Sequence, residues 1–228
     1  MKILAQSLCG LLLSLPCAAQ NHLHTQSRVV TLVPGLGDLH HPVSTHNPEA
    51  QKFFDQGLRF IYAFNHDEAA RSFQHAAELD PALAMAYWGV AEAVGPNYND
   101  PADPDRYQRA HDAINKAVDL SASPSEHAYI QAMARRFPAD PNSDLKKAAA
   151  DYRDAMREVT RQFPDDLDAA TLFAEAGMNL HPWGLWHQDG TPEAGTEEIV
   201  ATLESVLKRA DRALYQAKAD GRDRCYVG

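Results

Sequence analysis

An all-α fold is what this 228-residue sequence predicts: a short array of helical hairpins behind an extended N-terminal segment. Three observations lead there. Residues 50–83 place small and large side chains where two packed helices need them, with Phe53, Gly57 and Phe60 on the first helix, Ala69, Phe73 and Ala76 on the second, and Pro81 at the closing turn. The stretch "LDPALAMAYWGVAEAVG" at 79–95 is echoed by "FPDDLDAATLFAEAGMNL" at 163–180, each an acidic proline turn followed by an alanine-rich helix. Apolar stripes at helical period recur along the chain, cut each time by Pro, Asn or Gly.

Taken from the start, Lys2 is a positive leader residue, Ile3 to Leu15 is a short apolar run, and Cys17-Ala18-Ala19 supplies the small residues of a cleavage site. Residues 1–19 therefore read as a bacterial export signal cut after Ala19. Pro16 argues against lipidation at Cys17. The expected location is periplasmic or secreted, with no membrane association after cleavage, because no later segment is long and apolar enough to span a bilayer. Residues 20–46 read as an extended, partly disordered leader.

The array proper runs from 47 to 209. Asn47-Pro48 is a cap followed by proline at the first helical position, and Asn65-His66-Asp67 is expected as the turn within the first hairpin. The next helix ends at Gly95-Pro96. "NYNDPADPD" is an inserted loop, and Ala110, Ile114 and Ala117 mark the helix after it. Ser125 to Phe137 and Ser143 to Phe163 are two further helices. "HPWGLWHQDGTPEAGT" is a loop in which Trp183 and Trp186 are expected to plug a gap between hairpins. Thr196 opens a last long helix with Ile199, Leu203, Val206, Ala210, Leu214 and Ala217 as its stripe.

The formal charge of −10 makes nucleic acid an unsuitable partner. Of three cysteines only Cys225 survives signal removal, so no internal disulfide and no cysteine-rich zinc site is expected. The nucleophile elbow, the zinc-protease helix and the glycine-rich phosphate loop are all missing as motifs. The expected function is accordingly non-enzymatic.

The residues of 50–83 match the packing positions of the 34-residue tetratricopeptide repeat, and the chain resembles repeat proteins of that type over residues 40–209. The stretches "HHPVSTHNPEAQKFFDQGL", "AFNHDEAARSFQHAAELDPALAMAYWGVA", "GPNYN", "MNLHPWGLW" and "DGTPEAGTEEIVATLESVLKR" are similar to a family of exported bacterial proteins of this kind. That resemblance implies an α-solenoid whose first helices line a concave groove. Gln51, Phe54, Leu58 and Ile61 of the first repeat and Met85, Trp88 and Glu92 of the second fall on that face. Their apolar character suits a protein or peptide segment as partner. Family members usually continue for further hairpins, so the shortened end is expected to offer a surface for homodimerisation.

"LKRADRALYQAKADGRDR" resembles the end of a GGDEF diguanylate cyclase, whose phosphate-side Lys and Arg would fall on Lys218 and Arg222. The signature loop and its metal carboxylates are missing, so residues 210–228 are read as an inactive fused or truncated relic. They are expected to serve as a terminal helix that seals the last layer. A further alternative is a histidine-based metal site. A free Gln20-Asn21-His22 terminus would suit square-planar Cu(II), and His40, His41 and His66 would converge if the leader folded back on the first repeat.

Overall fold

Asparagine, aspartate, serine and proline decide where the helices start. The Asn47 side chain accepts from the Glu49 and Ala50 amides at 2.9 and 3.2 Å, with Pro48 opening the helix behind it. Asp103-Pro104 repeats the device, and Ser123-Pro124 adds a full capping box in which Glu126 reaches back to the Ser123 amide at 2.7 Å. Asn65, Asp144 and Asp166 cap three others. The computed structural model describes residues 29–140 and 143–219. Among these it contains eight helices: α1 (Pro48–Tyr62), α2 (His66–Leu79), α3 (Ala84–Val94), α4 (Pro104–Val118), α5 (Pro124–Arg136), α6 (Leu145–Gln162), α7 (Leu167–Met178) and α8 (Thr196–Ala219). There is no strand among the described residues. Residues 1–19, expected to be an export signal, and His22, Arg222 and Cys225 lie outside them.

Each helix packs on the next, and the odd-numbered helices α1, α3 and α5 also stack on one another, giving an all-α array of hairpins. Its centre is the Phe73 ring. A Cβ at Gly57 of α1 would sit 2.6 Å from that ring, and one at Gly89 of α3 would also overlap it. Phe73 of α2 is thus held between two glycines on two different helices. Phe53, Phe60, Ala69 and Ala76 are buried around it as their spacing predicts, and Pro81 stands exposed at the turn. Gly89 is a partner that the first repeat's own pattern does not contain.

Three expectations are corrected. His66 is not in a turn: Asn65 caps α2 directly, and the reversal is made by Ala63 and by Phe64 at φ 56°. The Trp183/Trp186 loop is not a plug, since the two indoles are 77 % and 55 % exposed. Residues 210–219 do not seal the last layer. The buried residues of α8 are Thr196 and Ile199, with Ile199 pressed into the space left by Gly177 of α7. Arg157 of α6 grips Glu198 at 2.7–2.8 Å, and Arg209 reaches the Pro164 carbonyl at 2.5 Å. Beyond that no residue of α8 is buried. The reason is length: α8 has 24 residues against 12 in α7, so at about 1.5 Å per residue it outruns its neighbour by roughly half.

Residues 29–46 of the leader lie across the first helices of the hairpins. Gln56 holds the Val33 amide at 2.7 Å, Arg59 donates to the Leu39 carbonyl, and Gln51 brackets the strap through the Val43 amide and the His41 carbonyl. Ser44 then meets Glu126 of α5, and His41 meets Asp168 of α7.

Candidate ligand-binding site

The face expected to be an open groove is filled by the chain itself. Phe54, Leu58, Met85 and Trp88 are at most 2 % exposed, and Ile61 and Glu92 are also buried. The His41 ring sits 6.1 Å from Phe54 and 5.9 Å from Tyr129, and Tyr129 stands edge-on to Trp88 at 5.6 Å. Only Gln51 keeps partial exposure, and its amide is spent on the strap. A partner seated on these residues would have to displace His41 of the strap from Phe54, and Tyr129 and Arg136 of α5 from Trp88 and Glu92.

The histidines do not gather as a trio. His40 is at the surface, bonded to Asp55 at 2.8 Å. His66 lies at the start of α2, within electrostatic reach of Glu175 and Arg106. His41 instead joins Asp166 and Asp168, whose ligand-type atoms all lie within 4.8 Å of one another. Hydrogen bonds already account for this cluster. His41 Nδ1 bonds Asp168 at 2.7 Å, Tyr62 donates to the other Asp168 oxygen at 2.5 Å, and Asp166 takes the Tyr129 hydroxyl at 2.7 Å while capping α7. Burial lowers the His41 pKa, but the bond and charge of Asp168 outweigh it and the net shift is upward. Burial raises Asp168, and the bonds from His41 and Tyr62 bring it below its ordinary value. The arrangement is a histidine–carboxylate lock on the strap. Glu126, pushed up by burial but held down on balance by bonds from Ser44 and Ser123, is a second lock.

A different part of the molecule has unspent polar groups. Gly95-Pro96 ends α3, and residues 96–101 cross toward α4. Across from them the chain leaves α7 through Asn179, Leu180, His181 and Pro182. The two segments wall a cavity of about 790 Å³ with α6 on its third side. Its mouth carries Tyr98 and Trp183, with ring centroids 5.1 Å apart, and the Tyr98 hydroxyl accepts the Trp183 amide at 2.8 Å. Trp183 is held at φ 61°, an uncommon conformation for a bulky residue and one that clusters at functional sites.

The floor is charged. Arg136 of α5 donates through one terminal nitrogen to Glu92 of α3 at 3.1 Å, each side chain 4 % exposed, and through the other terminal nitrogen to the Pro96 carbonyl. Its guanidinium lies 4.9 Å from the centre of the Tyr152 ring. Burial raises Glu92 and Arg136 lowers it, with a net rise. Glu175 is pushed to about 7 by burial first and by the Glu92 charge second, against the opposing pull of Arg136. Asn179 donates to Glu175 at 2.5 Å, leaving its own Oδ1 and the second Glu175 oxygen shut from solvent without a donor. The Tyr152 hydroxyl, beside Glu92, likewise makes no well-formed hydrogen bond. Of these groups, Arg136, Tyr152 and Asn179 face the cavity.

None of Arg136, Tyr152, Glu175 or Asn179 is marked by a sequence motif. Two signals point to their neighbourhood: the proline-rich insertion after Gly95, and the dense aromatic-histidine loop at 181–187. Comparison of the chain with models of known families, with curated proteins and with solved structures finds no match.

Proposed function

We propose that the protein is a non-enzymatic exported binding module of the tetratricopeptide type, and that its ligand seat is the 96–101/179–183 cavity rather than the concave face. One observation carries this reading. Two segments some eighty residues apart meet around buried, partly unsatisfied polar groups under an aromatic mouth, the composition expected of a small-ligand site. The polar groups lining the cavity are amides, phenols, the Arg136 guanidinium, Lys146 and His181, a set suited to recognising and orienting a ligand. Both walling stretches, "GPNYN" and "MNLHPWGLW", are among those that carry the resemblance to exported repeat proteins.

The test is a thermal-shift screen of the purified chain against amino acids, amines, saccharides and nucleosides. One class should raise the melting temperature. The rise should vanish in Trp183→Ala and Tyr98→Ala, exposed or half-exposed positions whose change leaves the unliganded melting temperature within a degree or two. Stabilisation that survives both changes, or its absence with every class, rejects the cavity as the seat.

A further inference from the structure

We infer that the cavity takes a small organic carboxylate whose apolar or aromatic body fills it. This rests on the cavity being the ligand seat, and it follows from what lines the walls. In a chain of formal charge −10, no aspartate or glutamate among the described residues lines this cavity, whereas Arg136, Lys146 and His181 do. On the floor, Arg136 is paired with Glu92, which lies beneath the lining. Glu175 stands behind it, and burial pushes that carboxyl to about 7, which weakens its charge at neutral pH. Lys146 is the unbalanced charge. It is exposed at the mouth, in the first turn of α6, and its ammonium has no ion pair or hydrogen bond among the described residues. The carboxylates that flank the lining in sequence are committed elsewhere. Asp144 caps α6 through the Lys146 and Lys147 amides, and Asp100 pairs with Arg106 at 2.5 Å.

Two more groups on the wall have their oxygens occupied and keep donors. The Tyr98 oxygen takes the Trp183 amide at 2.8 Å, which leaves its own O–H to donate. Asn97 Oδ1 takes the Asn99 and Asp100 amides at 2.9 and 3.0 Å, which leaves its Nδ2 hydrogens. A carboxylate accepts at both oxygens, and bonds to a charged partner are the strong ones. A ligand ammonium would instead meet the unpaired charge of Lys146. His181 lies within electrostatic reach of Glu193, so any charge it carries is offset. Between the donors, Ala149, Ala176, Leu180 and the rings of Tyr107 and Trp183 leave apolar surface for the body of the ligand. A volume of about 790 Å³ suits a small molecule. Amino acids are the class in the thermal-shift screen that carries a carboxylate, and those with aromatic side chains carry the body as well.

Three probes that differ in the head group test this on the full chain: phenylacetate, phenylacetamide and phenethylamine, titrated calorimetrically at neutral pH and low salt. The carboxylate should bind at least about tenfold more tightly than the amide, whose shape it shares, because a charge-assisted bond is lost in the amide. The amine should bind weakest. Lys146→Met keeps the aliphatic stem and removes the charge. It should bring phenylacetate down to the affinity of phenylacetamide and leave the amide unchanged, whereas Lys146→Arg should retain the preference. Lys146 is exposed, and the melting temperature of each variant checks the fold. Equal affinity for carboxylate and amide, a tighter amine, or a carboxylate preference undiminished in Lys146→Met each overturns the inference. If the binding seen in such a case is abolished by Trp183→Ala, the cavity stands and only the charge assignment falls. No binding of phenylacetate overturns the inference outright, and the wider ligand screen then decides the cavity separately.

Discussion

Phe73 gives the sharpest consequence of a single side chain. Its ring occupies the space that a Cβ at either Gly57 or Gly89 would need. Alanine is the better helix former by up to about 1 kcal/mol, but overpacking a rigid ring costs about 1–3 kcal/mol. Gly57→Ala is therefore expected to lower stability in a denaturant titration, and Phe73→Leu in that background should recover part of the loss. Arg136 is a second such position. Removing one partner of a buried ion pair costs about 3–5 kcal/mol, and here it strands two carboxylates, so Arg136→Met should be among the most damaging changes in the chain. Glu175 carries the pH dependence. Its folded pKa of about 7 lies above the ordinary 4.5, so the folded state holds its proton more tightly. Its contribution to stability is complete below pH 4.5 and is lost as pH rises to about 7. Glu175→Gln should flatten that part of the stability profile, read as melting temperature against pH.

Among the helices and connections, the strap and α8 behave oppositely. The strap packs Val30, Leu36, Leu39 and Val43 against the core and adds two polar locks, His41 to Asp168 and Ser44 to Glu126. Because the His41 pKa is raised, the lock to Asp168 is strongest below 6.5 and weakens as pH rises through the folded value. Amide exchange in residues 29–46 should accelerate over that range, and His41→Ala should accelerate it at every pH while leaving α1 to α3 protected. The end of α8 needs no switch. Residues 210–219 lack a buried position, so their amides should exchange fastest of any helical segment, and truncation after Arg209 should change stability by less than about 0.5 kcal/mol. Most helix boundaries, the start of α2 excepted, were legible in the sequence because prolines, caps and glycine stops act locally. The failure at α8 has the opposite origin: its stripe is regular, but whether a stripe is covered depends on the length of another helix.

Across the assembled array, what could be read in advance was whatever repeats. The hairpin succession and the packing set around Phe53, Gly57, Phe60, Ala69, Phe73 and Ala76 follow from spacing alone. The strap's course was not legible, because a segment without periodicity gives no sign of where it lies. The cavity was half legible: Trp183 and His181 stood out as a cluster, but Arg136, Tyr152 and Glu175 come from three helices and look like ordinary surface charge and core aromatics until those helices meet. The strap also changes the mechanics. An open solenoid bends and stretches like a coil spring, each turn free to open a little. Here one stretch of chain is moored to α1, α5 and α7 in turn, and Tyr62 of α1 is tied to Asp168 as well. A cord knotted across the coils of a spring fixes its curvature, so tension applied to this array meets a stiff element before it meets a compliant one.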